Sequence, residues 1–518
     1  MYPGHYAKTQ PGAIAVVRPS TGERLTYLEL DQRSNRLAQV FYKQGLRRGD
    51  HVAVFLENSM IYFDALWACL RSGLYLTPIN RYLSATEAAY IVDNCDALAL
   101  VASAKLDRSA ELGRLTPRCE LKLAVGGPID GFADYEATLA SAPAERLAEE
   151  SLGSFMLYSS GTTGKPKGVR RPLPEGDPTQ GDPALTTPSR RYGFDPSTIY
   201  LSPAPLYHGA PIGYVTRVQY AGGTVVMMDR FDPELSLELI ERHRVTHSQW
   251  VPTMFIRMLK LPDEARTRWD LSSHRCAIHA AAPCPIDVKQ QMIEWWGPII
   301  EEYFSSTEGI AHTMISSAEW LDHPGSVGKP RAPTLHICDE EGRELPTGTA
   351  GQIYGEVSMA RFCYHKDEVQ TVGSTHPTKS NWMTTGDIGY LDNDGYLYLT
   401  DRKAFMIISG GVNIYPQQIE DAIALHPRVA DVAVIGVPHP DLGEEVKAVV
   451  QLEPGEEPSD ELAQELMEFI RDKLGRQLTP RSIDFTPSLP RLPTGKLYKK
   501  ALRDQYWGEA GSSKILDR

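Results

Sequence analysis

The run Tyr158-Ser-Ser-Gly-Thr-Thr-Gly-Lys-Pro-Lys-Gly168 gathers hydroxyls, glycine amides and ammonium groups into one short stretch. Ser159, Ser160, Thr162 and Thr163 offer hydroxyls, Gly161 and Gly164 offer bare amides, and Lys165 and Lys167 offer charge. Oriented N–H and O–H donors of this kind suit the oxygens of a polyphosphate. The run is not a Walker A loop, which needs Ser or Thr after its lysine, because Pro166 stands there. By composition alone the stretch reads equally well as a flexible surface linker. The order of its residues, and the clusters that follow it, decide between the two.

Further clusters appear downstream in order. They are Tyr303-Phe-Ser-Ser-Thr-Glu-Gly309, Thr385-Gly-Asp387, Asp401-Arg402 with Ser409-Gly-Gly-Val-Asn-Ile-Tyr-Pro416 and Glu420, and Pro493-Thr-Gly-Lys496. Together with Ser160-Gly-Thr-Thr-Gly-Lys-Pro-Lys-Gly168 they resemble the signature motifs of the adenylate-forming superfamily: acyl-CoA synthetases, luciferases and peptide-synthetase adenylation domains. The resemblance covers nearly the whole chain. It implies an ATP-using enzyme that activates a carboxylic acid as its acyl-adenylate and releases pyrophosphate. The stretch from Thr400 to Pro416 is most similar to fatty- and aromatic-acid CoA ligases, which implies CoA as the second substrate.

The implied reaction brings a carboxylate to the α-phosphate of ATP, so two anions must meet beside a divalent cation and a fixed cation. Glu308 is the expected magnesium ligand, since Mg²⁺ takes one or two carboxylates plus phosphate oxygens. Thr307 holds the α-phosphate on this reading. Lys496 is the cation bridging carboxylate and α-phosphate in the transition state. The resemblance assigns Ser159, Ser160, Gly161, Thr162, Thr163, Gly164 and Lys165 to ATP, along with Tyr303, Phe304 and Ser305. It puts Ala281, Ala282 and Pro283 on the adenine face, Asp387 on the ribose hydroxyls, and Arg402 on the ribose or its neighbours. Without the resemblance, Thr385-Gly-Asp387 reads as a turn, Arg402 as a surface charge and Ala281-Ala282-Pro283 as a helix start. His208, in Tyr207-His-Gly-Ala210, resembles the acyl-site histidine that orients or gates the carboxylate. Gln249, Trp250 and Val251, with Ala280, are expected to line an acyl pocket for an apolar or aromatic acid, Trp250 serving as wall or as core.

The acceptor is less marked. Gly410 and Gly411 are expected to swing to the active site after adenylation and shape a pantetheine tunnel, with a hinge near 400–404. Ala404 stands where related enzymes often carry a charge. In Arg476-Gln-Leu-Thr-Pro480, Leu478 replaces a lysine expected near the CoA phosphates, while Arg476 and Arg481 remain. That departure keeps an amine acceptor, and hence an amide synthetase, open beside CoA. Other classes fit less well. No G-x-S-x-G elbow of a serine hydrolase is present, and a dead nucleotide sensor would not keep Glu308 and Lys496; a light-emitting oxygenase shares the fold and is set aside only because such enzymes are rare. A peptide-synthetase module would need a carrier domain after Lys496, for which little chain follows.

These residues need a scaffold. A chain of 518 residues suggests about three folding units. Its 42% hydrophobic and 23% charged residues describe an ordinary globular protein. A net charge of −13 argues against a nucleic-acid partner. Cysteines 69, 95, 119, 276, 284, 338 and 363 lack any CxxC pair, which fits buried free thiols in a reducing compartment. The first residues carry no basic region followed by an apolar core, and no apolar run approaches the roughly 20 residues of a membrane span. A cytoplasmic protein is expected.

Hydrophobic periodicity gives alternating strands and helices. Thr26-x-x-Glu29 reads as a capping box for a helix burying Leu30, Leu37 and Phe41. Strands are expected at 51–56, 74–79, 98–102, 223–228, 245–251 and 276–282. Helices are expected at 61–71, after Ser84, after Asp232-Pro233 and from Pro285 to Trp296. The segment 171–191, rich in Pro, Gly, Thr and Asp, reads as a mobile surface loop. Short strands with Gly-rich turns fill 342–399, and a smaller βα rhythm resumes beyond Asp401, with a helix after Pro416, strands at 432–437 and 446–452, and a helix from Ser459. The expected fold is α/β: a large N-terminal domain (1–400) of βα-rich sheets with a small β-barrel-like subdomain, then a small mobile α+β C-terminal domain (401–518) carrying Lys496.

Overall fold

The computed structural model describes residues 2–159, 166–330, 335–357, 362–402, 405–409, 412–476, 478–491 and 497–507. Ser160, Gly161, Thr162, Thr163, Gly164, Lys165, Ala404, Gly410, Gly411 and Lys496 lie outside them, and Arg402 is described in its backbone only. The architecture is mixed α/β, in two compact units.

The first unit comprises Met1–Gln249, Arg268–Ala277 and Met359–Gly373. It holds an all-parallel sheet in the order Ala133–Asp134, Leu121–Val125, Ala97–Ser103, His51–Phe55, Tyr75–Pro78 and Ser154–Phe155. Parallel neighbours need crossover connections, and the helices Ile61–Arg71, Ala85–Asn94 and Ser109–Leu115 lie along those connections. Every residue of His51–Phe55 is buried, as in strands covered on both faces. A second set of strands runs His247–Trp250, Ile199–Ser202, Thr224–Met227, Ile14–Arg18 and Glu23–Thr26, parallel except for the last pair. Two helices start at full capping boxes, Thr26 with Glu29 and Ser84 with Glu87. Each cap is worth about 1 kcal/mol and fixes where the preceding strand must turn. Leu30, Leu37 and Phe41 are all fully buried.

The segment 171–191 is more ordered than expected. It contains a 3₁₀ turn, Pro178–Gln180, capped by Asp177, and most of the helix Pro183–Tyr192. Pro183 opens that helix where a missing N–H costs nothing, so a residue read as a loop signal is a helix-start signal.

The second unit comprises Trp250–Thr267, Ile278–Ser358 and Ser374–Arg518. The helix Ile286–Trp296 leads into an antiparallel hairpin, Ile300–Phe304 with Thr313–Ser316, extended by Lys329–Pro330. Leu335–Cys338, Gly351–Glu356, Asp387–Leu391 and Leu397–Arg402 form an antiparallel sheet, with Trp382–Met383 paired to Gly351–Glu356. This is the antiparallel texture expected of 342–399. The C-terminal sheet is ordered Val412–Ile414, Ile407–Ser409, Gly443–Leu452 and Val429–His439, with Ser482–Phe485 parallel to Gly443–Leu452. Helices Pro416–Ile423 and Asp460–Leu474 lay Ile419, Ile423, Leu462, Leu466 and Ile470 on it, against Val432, Val434 and Val450.

All seven cysteines are free; Cys284 is half-buried and Cys363 exposed, so the expectation of buried thiols holds for the other five. Among the described residues no helix is long and apolar enough to cross a membrane.

Candidate active site

Two antiparallel strands, Leu157–Ser159 and Lys167–Arg170, flank the hydroxyl- and glycine-rich run, with Ser159 paired to Lys167. A Cβ at Gly168 would lie 2.6 Å from Met156 Cε and 2.9 Å from Tyr158 Cζ, so a larger residue there would have to displace those two side chains. Lys167, read from sequence as charge for a polyphosphate, donates from Nζ to Gln370 Oε1 at 2.7 Å. Its charge is therefore partly engaged within this unit.

In the second unit, the hairpin connection 305–312 carries Thr307 and Glu308. Phe304 pairs with Thr313 at its base, and the Gly309 amide donates to the Ser306 carbonyl at 3.0 Å. Ile310 N–H donates to Ser306 Oγ at 3.3 Å, and Gly309 takes φ +75° to close the turn. Thr307 is exposed and Glu308 half-buried. Tyr303 and His312 stack across the hairpin at 6.0 Å and 18°.

The strand expected over 276–282 ends at His279. Ala280 is buried, whereas Ala281 and Ala282 are exposed, and Ala281 has φ +79°. An alanine in that region is strained and holds only when its surroundings over-determine it. The Ala280 amide donates to the Trp250 carbonyl at 3.4 Å. Trp250 itself is 1% exposed, packed against Trp296 at 5.5 Å and Phe255 at 6.4 Å. Of its two expected roles, wall or core, that burial fits core. Val251 caps the helix Pro252–Leu259.

Asp387 opens the strand Asp387–Leu391 and pairs in register with Arg402, the last residue of Leu397–Arg402. Gly386, at φ +80°, turns the chain into the strand. The Thr385 hydroxyl donates to Asp387 Oδ2, and the carboxylate is buried. Two residues separated along the sequence by a whole hairpin thus share one end of the sheet.

Within the first unit, His208 is the N-cap of Gly209–Tyr220 and lies 4.4 Å from the Tyr207 ring. Asn58 fixes this loop: its Oδ1 accepts from Leu206 N–H at 2.9 Å, and its Nδ2 donates to the Ala204 and Met228 carbonyls at 3.3 and 2.8 Å. Gln249 is buried near the end of its strand. Sequence reasoning missed Asn58, because its partners lie far away along the chain.

The C-terminal motif is anchored at both ends. Arg491 and Leu497 form an antiparallel bridge, and Tyr498 N–H donates to the Pro490 carbonyl at 2.7 Å. The Arg491 guanidinium grips both oxygens of Asp431. Lys499 Nζ lies 2.8 Å from Glu420 Oε1, which also accepts from Val434 N–H at 2.7 Å. Buried Glu420 is therefore a structural acceptor for the strand and the final helix.

The family model for AMP-binding enzymes matches residues 4–358, and that for the AMP-binding enzyme C-terminal domain matches 418–496. The chain belongs to the AMP-binding enzyme family. Its motifs' resemblance to the adenylate-forming superfamily is thereby borne out. The chain is 30% identical over 520 residues to a feruloyl-CoA synthase of Amycolatopsis sp, covering 98% of each chain. ATP-bound MatB from Rhodopseudomonas palustris matches with TM-score 0.80 at 26% identity, over 99% of this chain and 100% of that one. The amide bond synthetase McbA from Marinactinospora thermotolerans matches with TM-score 0.78 at 26% identity, over 97% and 99%.

In this AMP-binding enzyme the carboxylate expected to hold Mg²⁺ fits such an ion in kind. Glu308 sits half-exposed on a turn, where water and phosphate oxygens can complete the shell that Mg²⁺ prefers to keep. Among the described residues the one group of three metal-ligating side chains is His323, Asp392 and Asp394, which does not include Glu308. A magnesium ion at Glu308 would accordingly depend on one carboxylate and on the nucleotide. Leu478 of the AMP-binding enzyme packs against the C-terminal core, while Arg476 and Arg481 are exposed.

Proposed function

We propose that the protein is an AMP-forming acid–thiol ligase acting on an apolar or aromatic carboxylic acid. A carboxylate oxygen attacks the α-phosphorus of ATP, pyrophosphate leaves, and the acyl-adenylate forms. The CoA thiolate then attacks the acyl carbonyl and AMP leaves. The observation that carries this reading is the match to both family models along one chain that also retains Thr307, Glu308, Asp387 and Lys496.

Residues 159–165 cradle the polyphosphate, and Ala281, Ala282, Pro283, Tyr303, Phe304 and Ser305 surround the base. Asp387 and Arg402 hold the ribose. Glu308 would hold a Mg²⁺ ion, whose charge would offset that of the triphosphate. Thr307 donates to the α-phosphate. Lys496 neutralises the oxygen that bridges acid and phosphate, an effect worth about 10²–10³ in rate for one preorganised donor. Tyr207, His208, Gln249, Val251 and Ala280 receive the acid. Residues 1–400 and 401–518 act as two domains about a hinge at 400–404, and Gly410 and Gly411 guide the acceptor. Free thiols throughout suit a reducing cytoplasm.

Lys496→Ala should abolish pyrophosphate release, yet the variant should still process a supplied acyl-adenylate. Normal pyrophosphate release by that variant excludes the role given to Lys496. The substrate class is tested by a pyrophosphate-release screen over aliphatic and aromatic acids, repeated with CoA and with amines. Acyl-CoA formed at a useful rate supports the ligase.

A second reading rests on Leu478. This side chain is aliphatic and packs against the C-terminal core, so it gives no cation to the CoA phosphates. An amide synthetase passes the acyl group directly from the adenylate to an amine. Product formed only with amines selects that reading.

A further inference from the structure

A buried charge cluster lies beside the adenine-side loop and is unused by the chemistry above. Lys289, on the helix Ile286–Trp296, and Glu302, on the strand Ile300–Phe304, form an ion pair of 2.5 Å with side chains 0% and 4% exposed. His279 is fully buried with Nε2 3.6 Å from the same Glu302 oxygen. Neither of its ring nitrogens has a hydrogen-bond partner among the described residues. Trp320 lies 4.9 Å beneath the Lys289 ammonium, and Phe255 meets the His279 ring at 5.4 Å, edge to face. Burial pushes the Glu302 carboxyl up, and burial with the Lys289 charge pushes His279 well down, so the imidazole is neutral.

Stability alone does not explain such a pair. Taking two charges out of water is expensive, and well-packed apolar replacements of buried ion pairs are often as stable or more so. What distinguishes these residues is where they lie. His279 immediately precedes Ala280-Ala281-Ala282-Pro283, Lys289 lies on the helix that begins just after that loop, and Glu302 immediately precedes Tyr303. The pair directly ties that helix to the strand that leads into the 303–308 segment. Ala281, held at φ +79°, requires the ends of its loop to be fixed.

We propose that Lys289 and Glu302, with His279 beside them, are positioning residues that set the spacing between the 280–283 loop and the 303–308 turn, and through it the affinity for ATP. All three are buried, so they act through those two segments and not on the nucleotide directly. The inference rests on the assignment of those two segments to ATP made above.

The test uses the full chain, calorimetric titration with ATP without acid, steady-state pyrophosphate release and thermal unfolding. Glu302→Asp keeps both charges but shortens the tie by one methylene. The Kd and KM for ATP should rise about tenfold, while kcat and the KM for acid stay within about twofold. The double variant K289M/E302L should unfold near the wild-type temperature yet bind ATP as weakly as Glu302→Asp, a split that a merely structural role does not produce. Wild-type affinity in either folded variant overturns the proposal. Failure of both variants to fold overturns it too, since the pair would then hold the fold and not the spacing. A wild-type protein that does not bind ATP refutes instead the nucleotide-site assignment.

Discussion

Removal of the Asp387 carboxylate tests the nucleotide site most directly. The side chain is 7% exposed at the first residue of its strand, and the backbone register with Arg402 does not depend on it. An ionised carboxylate has about four acceptor positions, and the Thr385 hydroxyl takes one. Two ribose hydroxyls donating to this carboxylate would each contribute about 1.5–3 kcal/mol, as hydrogen bonds to a charged acceptor do. Taking the low end for both, Asp387→Ala loses about 3 kcal/mol, a rise of roughly two orders of magnitude in the KM for ATP.

The assay compares ATP with 2′-deoxy-ATP in wild type and variant. Wild type should lose about 1.5 kcal/mol, roughly tenfold, on removal of one hydroxyl. Asp387→Ala should lose almost nothing further, because the acceptor is already gone. The coupling energy of this cycle is thus about 1.5 kcal/mol and isolates the contact from any general loosening of the turn. Equal discrimination in both proteins would refute the ribose role of Asp387.

Ala281→Gly should stabilise the protein by about 0.5–1 kcal/mol, because relief of left-handed strain exceeds the extra chain entropy of glycine; Ala281 is exposed and loses no packing. A higher urea midpoint at unchanged slope is the readout, and a lower one contradicts the strain. Burial pushes His51 and His274 down to about 3, so below pH 6.5 the unfolded chain takes up protons that the folded chain refuses. Stability from these groups should be complete above pH 6.5 and fall toward pH 3 by up to about 1.4 kcal/mol per pH unit for each histidine, measured by urea unfolding at stepped pH; His274→Gln should remove one histidine's share of that slope.

Much of the scaffold is legible because local rules and tertiary demands agree. The helix Ile61–Arg71 has the expected bounds, and the capping box expected at Thr26 and Glu29 forms. Disagreement arises where a residue type has two uses. Pro183 marks a helix start inside a run that looks like a loop. Lys167 has the charge of a phosphate ligand but donates to Gln370, a partner 203 positions away. Asn58 and Glu302 look like ordinary polar residues, and only the fold brings Leu206 to one and Lys289 to the other. The alternation of Ile300, Glu302 and Phe304 did carry a signal for Glu302, since it occupies an inward position of a strand.

The motifs assigned to ATP in the proposed function share a structural setting that their residue types do not spell out. Each lies against an antiparallel backbone pair: Ser159 with Lys167, Phe304 with Thr313, Asp387 with Arg402, and Arg491 with Leu497. An antiparallel pair fixes the separation of the two residues it joins, so the backbone beside each motif is held in place. This explains why glycines crowd these motifs, as Gly168, Gly309 and Gly386 do, since tight approach and left-handed turns recur beside each pair. It also fits the legibility of these motifs as short strings, since each is flanked by a paired element boundary. The acyl site has no such frame. Its expected residues come from a helix cap, a strand end and a loop after a strand, and side-chain shape at dispersed positions leaves no periodic trace in a sequence.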